Sequence, residues 1–179
     1  MNIIEHRLDL TTDEFTTNKF GKLQFFKDTT KSLVDVSREK RDSMPYRISK
    51  AMEILEANKD DNFTLWHHLE SERDLLEKEL KGKDFRSVFG SQTNALKETN
   101  IIDFSNGTYQ YLITKPTIAG SGCNLQEYCN NCIFVGIDYK FNDFIQAIHR
   151  FYRFGQTKPV NVHIIYTNNE DEVSVTLIS

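Results

Sequence analysis

The feature that most constrains this chain is a regular alternation of short apolar segments with amphipathic segments, which begins at Pro45 and continues for about 120 residues. The apolar segments have the length of buried strands, and the segments between them show the 3.6-residue spacing of helices. Because parallel strands need long crossover connections, this alternation is typical of an α/β domain whose mostly parallel sheet is covered on both faces. Strands are predicted at residues 63–67, 85–89, 109–114, 132–137 and 160–166, and helices at residues 45–57, 69–80, 93–104 and 143–152.

Apolar residues within the predicted helices indicate the faces that should meet the sheet. The side chains expected to face inward are Leu75, Leu76 and Leu80 in the second helix, Leu96, Ile101 and Ile102 in the third, and Phe144, Ile145 and Ile148 in the fourth.

The first 44 residues lack this regularity, because they are polar, carry charges of both signs and hold only scattered apolar residues. We therefore expect residues 1–44 to be an N-terminal extension or interdomain linker, and residues 45–179 to be the folded domain.

Composition and charge exclude several classes of protein. Hydrophobic residues make up 39% of the chain and charged residues 27%, as in ordinary soluble domains. No apolar run reaches the roughly 18 residues that a membrane helix requires, and the N-terminus does not resemble a secretory signal, so no membrane association and a cytoplasmic location are expected. The net charge of −4 argues against a uniformly basic nucleic-acid-binding surface and leaves room only for a local patch.

The three cysteines do not indicate a disulfide framework, because their number is odd and no secretion signal precedes them. Cys123, Cys129 and Cys132 could supply three zinc ligands, but no fourth ligand follows at a usual spacing, so packing near a strand is favoured. His67 and His68 are adjacent on a predicted strand and should point in opposite directions, which makes shared metal ligation improbable. No metal site is predicted.

The loop after the strand at residues 109–114 reads KPTIAGSGCNL. Gly120 and Gly122 would let the backbone approach a phosphate or a sugar closely, and Ser121 can donate a hydrogen bond. Glycines in such loops are equally often simple turn residues, so this pattern alone leaves both interpretations open.

A second candidate site lies in the last predicted helix, DFIQAIHRFYRFGQ. Gln146, Arg150 and Arg153 are spaced by four and three residues, so they should share one helical face. Two guanidinium groups on one face suit phosphate oxygens, although pairing of each arginine with a surface carboxylate is the common alternative.

The motifs in these loops and helices resemble those of a known family. QAIHRFYRFGQTKPV resembles motif six, GSGCNL resembles motif five and FTLWHHL resembles motif four of Swi/Snf-like ATPases. FRSVFGSQ resembles the strand and glycine loop that precede the motif-five strand, and FVGIDYKFN resembles the strand and turn between motifs five and six. The resemblance spans residues 46–172 and is to the C-terminal RecA-like domain of superfamily-two DNA helicases and translocases. LWHHLESER together with GSGCN is most similar to helicase-like proteins of phages and mobile elements, which often accompany a DNA methyltransferase.

The resemblance implies a three-layer RecA-like fold and a shared ATP site. ATP and magnesium would be held mainly by an N-terminal RecA-like lobe, since this sequence has no GxxxxGK[ST] loop and no acidic magnesium motif. Arg150 and Arg153 would act on the γ-phosphate, and Gln146 would either orient the attacking water or contact the γ-phosphate. By the same resemblance, the ATP-binding residues of this lobe are Gly120, Gly122, Asn124, Gln146, Arg150 and Arg153, and the DNA-binding residues are His68, Gly90, Ser91, Gln92, Thr117 and Ser121. The chain alone is expected not to hydrolyse ATP.

The sequence departs from the family where Lys115-Pro116-Thr117 replaces the usual Ser-Thr-Arg, which puts the DNA contact at Thr117 in doubt. Two other functions remain open as alternatives. AGSGC and Asp138 also resemble an adenosylmethionine site of methyltransferases, although too few strands follow Asp138 to complete that sheet. A RecA-like domain that serves only as a non-catalytic interaction module is the third possibility.

Overall fold

The fold is described from a computed structural model, which defines residues 1–10, 40–118, 125–137 and 141–167. Within these residues the chain forms six strands and four α-helices. In chain order these are β1 (Asn2–Leu8), α1 (Met44–Ala57), β2 (Phe63–Trp66), α2 (Glu70–Glu79), β3 (Phe85–Val88), α3 (Asn94–Ser105), β4 (Tyr111–Thr114), β5 (Asn131–Phe134), α4 (Phe141–Ile148) and β6 (Asn161–Thr167), with a 3₁₀ turn at Leu125–Glu127.

The six strands form one sheet in the order β1-β6-β5-β2-β4-β3, and every described pairing is parallel. The register aligns Phe63 of β2 with Tyr111 of β4 on one side and with Asn131 of β5 on the other. Because all strands run in the same direction, their carboxyl ends lie at one edge of the sheet, which we call the carboxyl edge. The predicted parallel sheet is thus confirmed.

Side chains of the central strands alternate between two hydrophobic cores, one on each face of the sheet. Trp66, Leu112, Phe134 and Ile164 pack on the face covered by α3 and α4. Leu65, Ile113, Ile133 and Ile165 pack on the face covered by α1 and α2. All eight side chains are buried, and each contributes about 1.5–3 kcal/mol by leaving water. The three-layer α/β architecture predicted from the sequence is confirmed.

Local sequence explains where the first and third helices begin. Pro45 lies in the first turn of α1, where its missing N–H removes no helical hydrogen bond. At the start of α3, the Thr93 side chain accepts a hydrogen bond from the Leu96 N–H at 3.3 Å. None of the helices in the described ranges is long and apolar enough to cross a membrane.

The first strand corrects the predicted boundary at residue 45. Asn2–Leu8 pairs with β6 along its whole length and is the outermost strand on one side of the sheet. These residues therefore belong to the domain and are not a separate extension. Ile3 packs against one core and Leu8 against the other, while Asn2, Glu5 and Arg7 are exposed. The strand escaped sequence analysis because its partner lies about 160 residues away and because an edge strand exposes half of its side chains.

The third helix meets the sheet through different residues from those predicted. Asn100, Ile101 and Phe104 are its buried residues, whereas Leu96 and Ile102 are 46% and 50% exposed. The inward assignment of Leu96 and Ile102 was wrong, because the buried face of α3 runs through Asn100, Ile101 and Phe104. In α2, Leu76 is buried as predicted, Leu80 is buried just beyond the helix, and Leu75 is partly buried.

Candidate functional site at the carboxyl edge

The loops that follow β2, β4 and β3 are neighbours at the carboxyl edge, because these three strands are adjacent in the sheet. His68 follows β2, Thr117 follows β4, and Gly90, Ser91 and Gln92 follow β3. Gly90, Ser91 and Thr117 are exposed, and His68 and Gln92 are partly exposed. The structure therefore brings five of the six predicted DNA-binding residues to the same edge.

The loop after β3 is closed by the side chain of Gln92. Its Nε2 donates to the Ser87 carbonyl at 3.0 Å, and its Oε1 accepts from the Phe89 N–H at 3.1 Å. Lys97 Nζ donates to the Gly90 carbonyl at 2.9 Å. Gln92 thus shapes the loop that presents Gly90 and Ser91, instead of extending its amide into solvent.

The loop after β2 holds two histidines in different environments. His67 is fully buried, and its Nδ1 lies 3.0 Å from the Leu69 carbonyl, to which it must donate. Burial lowers the pKa of His67 to about 4, so the ring is neutral at pH 7 and its Nε2 is the unprotonated nitrogen. That Nε2 has no hydrogen-bond partner among residues 1–10, 40–118, 125–137 and 141–167. His68 is partly exposed, and its backbone N–H donates a hydrogen bond to the Glu72 carboxylate.

A buried ion pair that the sequence analysis missed fixes the same loop. Glu72 Oε2 accepts the N–H groups of His68 at 2.9 Å and Leu69 at 3.0 Å, and Glu72 Oε1 accepts from Arg47 Nη1 at 2.7 Å. Burial alone would raise the pKa of the Glu72 carboxyl, but the charge of Arg47 and the N–H donors of Leu69 and His68 outweigh burial, so the pKa is lowered. The one available sequence clue is that Arg47 lies on the same helical stripe as Ala51 and Ile54.

Helix α2 also holds the loops after β4 and β3. Lys115 Nζ donates to Glu70 Oε1, and this hydrogen bond is the largest cause of a lowered pKa for the Glu70 carboxyl. Arg73 stacks over the Phe89 ring, with its guanidinium carbon 4.2 Å from the ring centre. Lys115, which stands where the resembled family has serine, is thus an ion-pair partner of α2.

The three residues predicted to share one face of the last helix do not do so. Helix α4 ends at Ile148, and Arg150 and Arg153 follow it in turns. Gln146 and Arg153 are exposed, whereas Arg150 is only 6% exposed. The prediction of a single helical face was therefore wrong.

Residues on both sides of Arg150 in the chain pack in the core. Phe144, Ala147, Ile148 and Phe151 are all buried, and the Phe151 ring meets Trp66 edge-on at 6.2 Å between centroids. Arg150, directly before Phe151 in the chain, is itself buried.

The residues after Arg153 anchor the arginine segment. Gly155 has φ +94°, a conformation that glycine adopts without strain. Gln156 Nε2 then donates to the Gln126 carbonyl at 3.1 Å, which joins this segment to the 3₁₀ turn following the glycine-rich loop. Arg153 is therefore presented on the surface between a buried aromatic residue and a fixed turn.

Several predicted residues lie outside the described ranges. These are Gly120, Ser121, Gly122, Cys123, Asn124 and Asp138. The described chain brackets the glycine-rich loop at Ile118 and Leu125.

Cys129 and Cys132 are buried free thiols, of which Cys132 lies in β5 and Cys129 just before it. Cys129 Sγ lies 3.2 Å from the Asn62 carbonyl and 3.1 Å from the Asn131 carbonyl. Burial raises the pKa of the Cys129 thiol to about 12 and also raises that of Cys132, so both are protonated at neutral pH. Among the described residues, no group of three or more His, Cys, Asp or Glu side chains is placed to hold a metal ion.

Comparison with known proteins agrees with this architecture. Residues 46–155, more than half of the chain, match the family model of the helicase conserved C-terminal domain. The C-terminal part of the Fun30 ATPase domain is a similar solved structure, with a TM-score of 0.64 and 24% sequence identity over 74% of this chain and 45% of that chain. This chain thus spans less than half the length of that structure, and the likeness shows the RecA-like fold. No curated protein sequence matches the chain.

The family match covers the loops at the carboxyl edge as well as Gln146, Arg150 and Arg153, and the parallel three-layer fold agrees with it. This chain belongs to the family of helicase conserved C-terminal domains.

Proposed function

We propose that this domain is the second motor lobe of an ATP-dependent DNA helicase or translocase of the Swi/Snf-like kind. The observation that carries the proposal is the gathering of His68, Gly90, Ser91 and Thr117 on adjacent loops at the carboxyl edge. Ligands of open α/β sheets bind at that edge. Exposed hydroxyl groups and loop backbone suit contacts with DNA phosphates, which carry little sequence information and therefore fit a translocase.

In the proposed mechanism a first RecA-like lobe holds the triphosphate and magnesium, because no phosphate loop occurs in this sequence. Arg153 is exposed and reaches the γ-phosphate when the lobes close, and the exposed Gln146 orients the attacking water. Arg150 is buried beside Phe151 and supports the segment that presents Arg153. An arginine that neutralises the transferring phosphoryl group accelerates hydrolysis by about 10³ to 10⁵.

The glycine-rich loop connects the two ligands in this proposal. Gly120, Gly122 and Asn124 contact the nucleotide side, and Ser121 joins Thr117 on the DNA side. Closure of the lobes on ATP then moves the DNA-contacting loops relative to the first lobe, which shifts the protein along one strand.

We place the parent protein in the cytoplasm, among helicase-like proteins of phages and mobile elements that are often encoded near a DNA methyltransferase. The support for this placement is the pair of sequences LWHHLESER and GSGCN. The methyltransferase-like alternative is not favoured, because the family model that matches residues 46–155 is the helicase domain. The non-catalytic alternative is not favoured either, because Arg153 remains exposed within that match.

The DNA contact is tested with two threonines at opposite ends of β4. Thr117 follows β4 at the carboxyl edge, and Thr108 precedes β4 at the other edge, and both are exposed. We expect Thr117→Glu to weaken binding of a fluorescent single-stranded oligonucleotide, because a carboxylate repels phosphate. Thr108→Glu should bind the oligonucleotide like the chain without substitutions. Equal affinity of the two variants, measured by anisotropy at one stated salt concentration, would refute the proposed DNA-binding edge.

The shared ATP site is tested in a two-lobed protein that contains this domain. Arg153→Ala should lower ATP turnover by about 10³-fold or more and leave nucleotide binding largely intact. Lys158→Ala is the matched control, because Lys158 is an exposed cation in the same segment. Loss of binding and turnover in equal measure would assign Arg153 a docking role only. The isolated chain should show no DNA-stimulated hydrolysis, and measurable turnover by the purified chain would contradict the division of labour.

A further inference from the structure

We propose that the buried Arg47–Glu72 pair is a positioning device that couples the DNA-contacting loop after β2 to the loop after β5, which leads into α4 and the arginine segment. This inference rests on the proposed function for its consequence, but the mechanical link itself is a property of the DNA-free domain.

Glu72 holds the β2 side of the link. Its Oε2 accepts hydrogen bonds from the backbone N–H groups of His68 and Leu69, at 2.9 and 3.0 Å. Its Oε1 accepts a hydrogen bond from Arg47 Nη1. Only 1% of Glu72 is exposed, so water cannot replace these partners. The position of the His68 backbone therefore depends on where the Glu72 carboxylate lies.

Arg47 holds the β5 side of the link. Its Nη1 donates to Glu72 and also to the Val135 carbonyl at 2.6 Å, directly after the last residue of β5. Its Nη2 donates to the Lys40 carbonyl at 2.6 Å, and its Nε donates to Ser43 Oγ at 3.2 Å. Lys40 Nζ donates in turn to the Ile137 carbonyl. Arg47 in the first turn of α1 and Lys40 just before this helix thus bind the backbone that leaves β5 at two points, Val135 and Ile137.

Gly136 makes room for this arrangement. A Cβ atom at position 136 would overlap Arg47 Nη1, so the guanidinium keeps its place only because residue 136 has no side chain. The backbone after β5 and the guanidinium are therefore in direct contact, and a movement of one displaces the other.

The ion pair lies between the loops that follow β2 and β5, which favours a positioning role in addition to packing. β2 and β5 are adjacent strands, and Val135 N–H also donates to the Trp66 carbonyl, yet the strands themselves end before His68 and Gly136. Beyond the strand ends, Glu72 and Arg47 join the two loops through side-chain hydrogen bonds. A buried ion pair is rarely a net source of stability relative to apolar residues of similar volume, which favours a specific geometric role.

The link is tested by perturbing one loop and observing the other. Gly136→Ala should displace the Arg47 guanidinium and, through Glu72, change the amide chemical shifts of His68 and Leu69 in the ¹⁵N-labelled, DNA-free chain. Ile133→Val is the matched control, since Ile133 lies on β5 and packs in the core under α1 and α2 but does not contact the pair. It should leave the two amides in place.

A double-mutant comparison separates coupling from general damage. In the neutral background Arg47→Met/Glu72→Gln, which keeps similar side-chain volumes and avoids a stranded charge, no guanidinium remains to be displaced. Gly136→Ala should then leave the amides of residues 68 and 69 unchanged relative to that background. An equal response in both backgrounds, or no response in the parent chain, would overturn the positioning role.

The functional consequence has a separate readout. Gly136→Ala should weaken DNA binding on the order of fivefold or more, while Ile133→Val does not. If the parent chain binds no DNA, the proposed function fails and the amide response still decides the link. If the amides respond as expected but DNA affinity stays unchanged, the coupling to DNA is refuted.

Discussion

Removing Arg47 alone should cost far more stability than removing the Arg47–Glu72 pair as a whole. Arg47→Met deletes four hydrogen bonds and leaves the Glu72 carboxylate, 1% exposed, with only the His68 and Leu69 N–H groups as partners. Breaking a buried pair from one side costs about 3–5 kcal/mol, because an uncompensated charge remains. At about 2–4 °C per kcal/mol for a domain of this size, the melting temperature should fall by roughly 6–20 °C.

The double variant Arg47→Met/Glu72→Gln removes both charges and keeps the side-chain volume. Its stability should lie within about 1–2 kcal/mol of the parent chain, because the unpaired charge is gone and the glutamine amide oxygen can still accept from the loop. Urea unfolding followed by the fluorescence of Trp66, the single tryptophan, measures both variants with one probe. A single variant that costs less than about 1 kcal/mol, or a double variant that costs as much as the single one, would refute the assigned electrostatics.

Three further outcomes follow from burial and protonation. Stability should fall as pH drops from 6.5 towards 4, because burial and the charge of His6 lower the folded-state pKa of His163 to about 4, and the unfolded chain therefore takes up the proton first. His163→Gln should make this decline in the urea midpoint shallower without abolishing it, since burial also lowers the pKa of His67 to about 4. An unchanged slope would exclude His163. In a Cys123→Ser background, a thiol reagent should label Cys129 and Cys132 only as fast as the domain unfolds, and rapid labelling in native buffer would contradict their burial. Leu65→Ala should lower the free energy of unfolding by about 2–5 kcal/mol, measured by urea unfolding. Leu96 is 46% exposed, so Leu96→Ala should change the free energy of unfolding by no more than about 0.5 kcal/mol. Equal losses for the two variants would contradict the observed orientation of α3.

The sheet was predictable because its central strands are locally distinct. β2, β4 and β5 are buried on both faces and therefore appear as short apolar runs, and the polar-faced helices between them require parallel crossovers. The gathering of His68, Gly90 and Thr117 at one edge then follows from strand direction alone.

What escaped prediction depends on contacts between distant residues. The strand Asn2–Leu8 is stabilised by β6 at the other end of the sequence, which no local pattern reveals. The Arg47–Glu72 pair joins two helices, and charged residues on a helix are usually solvated, so their burial shows only in three dimensions.

The arginine segment shows a third limit of sequence reasoning. A helical wheel places Gln146, Arg150 and Arg153 together, but α4 ends at Ile148, and Arg150 is buried beside Phe151 whereas Arg153 is exposed. Core packing therefore overrides the spacing of polar residues, and only Gln146 and Arg153 remain exposed.

The central claim, that the carboxyl edge of this lobe contacts DNA, is tested most directly by titrating the ¹⁵N-labelled chain with a single-stranded oligonucleotide and following backbone amides. The amides of Gly90, Ser91 and Thr117 should shift together with one affinity, while those of Asn62 and Thr108 at the opposite edge stay in place. Shifts confined to the opposite edge, or spread evenly over the surface, would contradict the account.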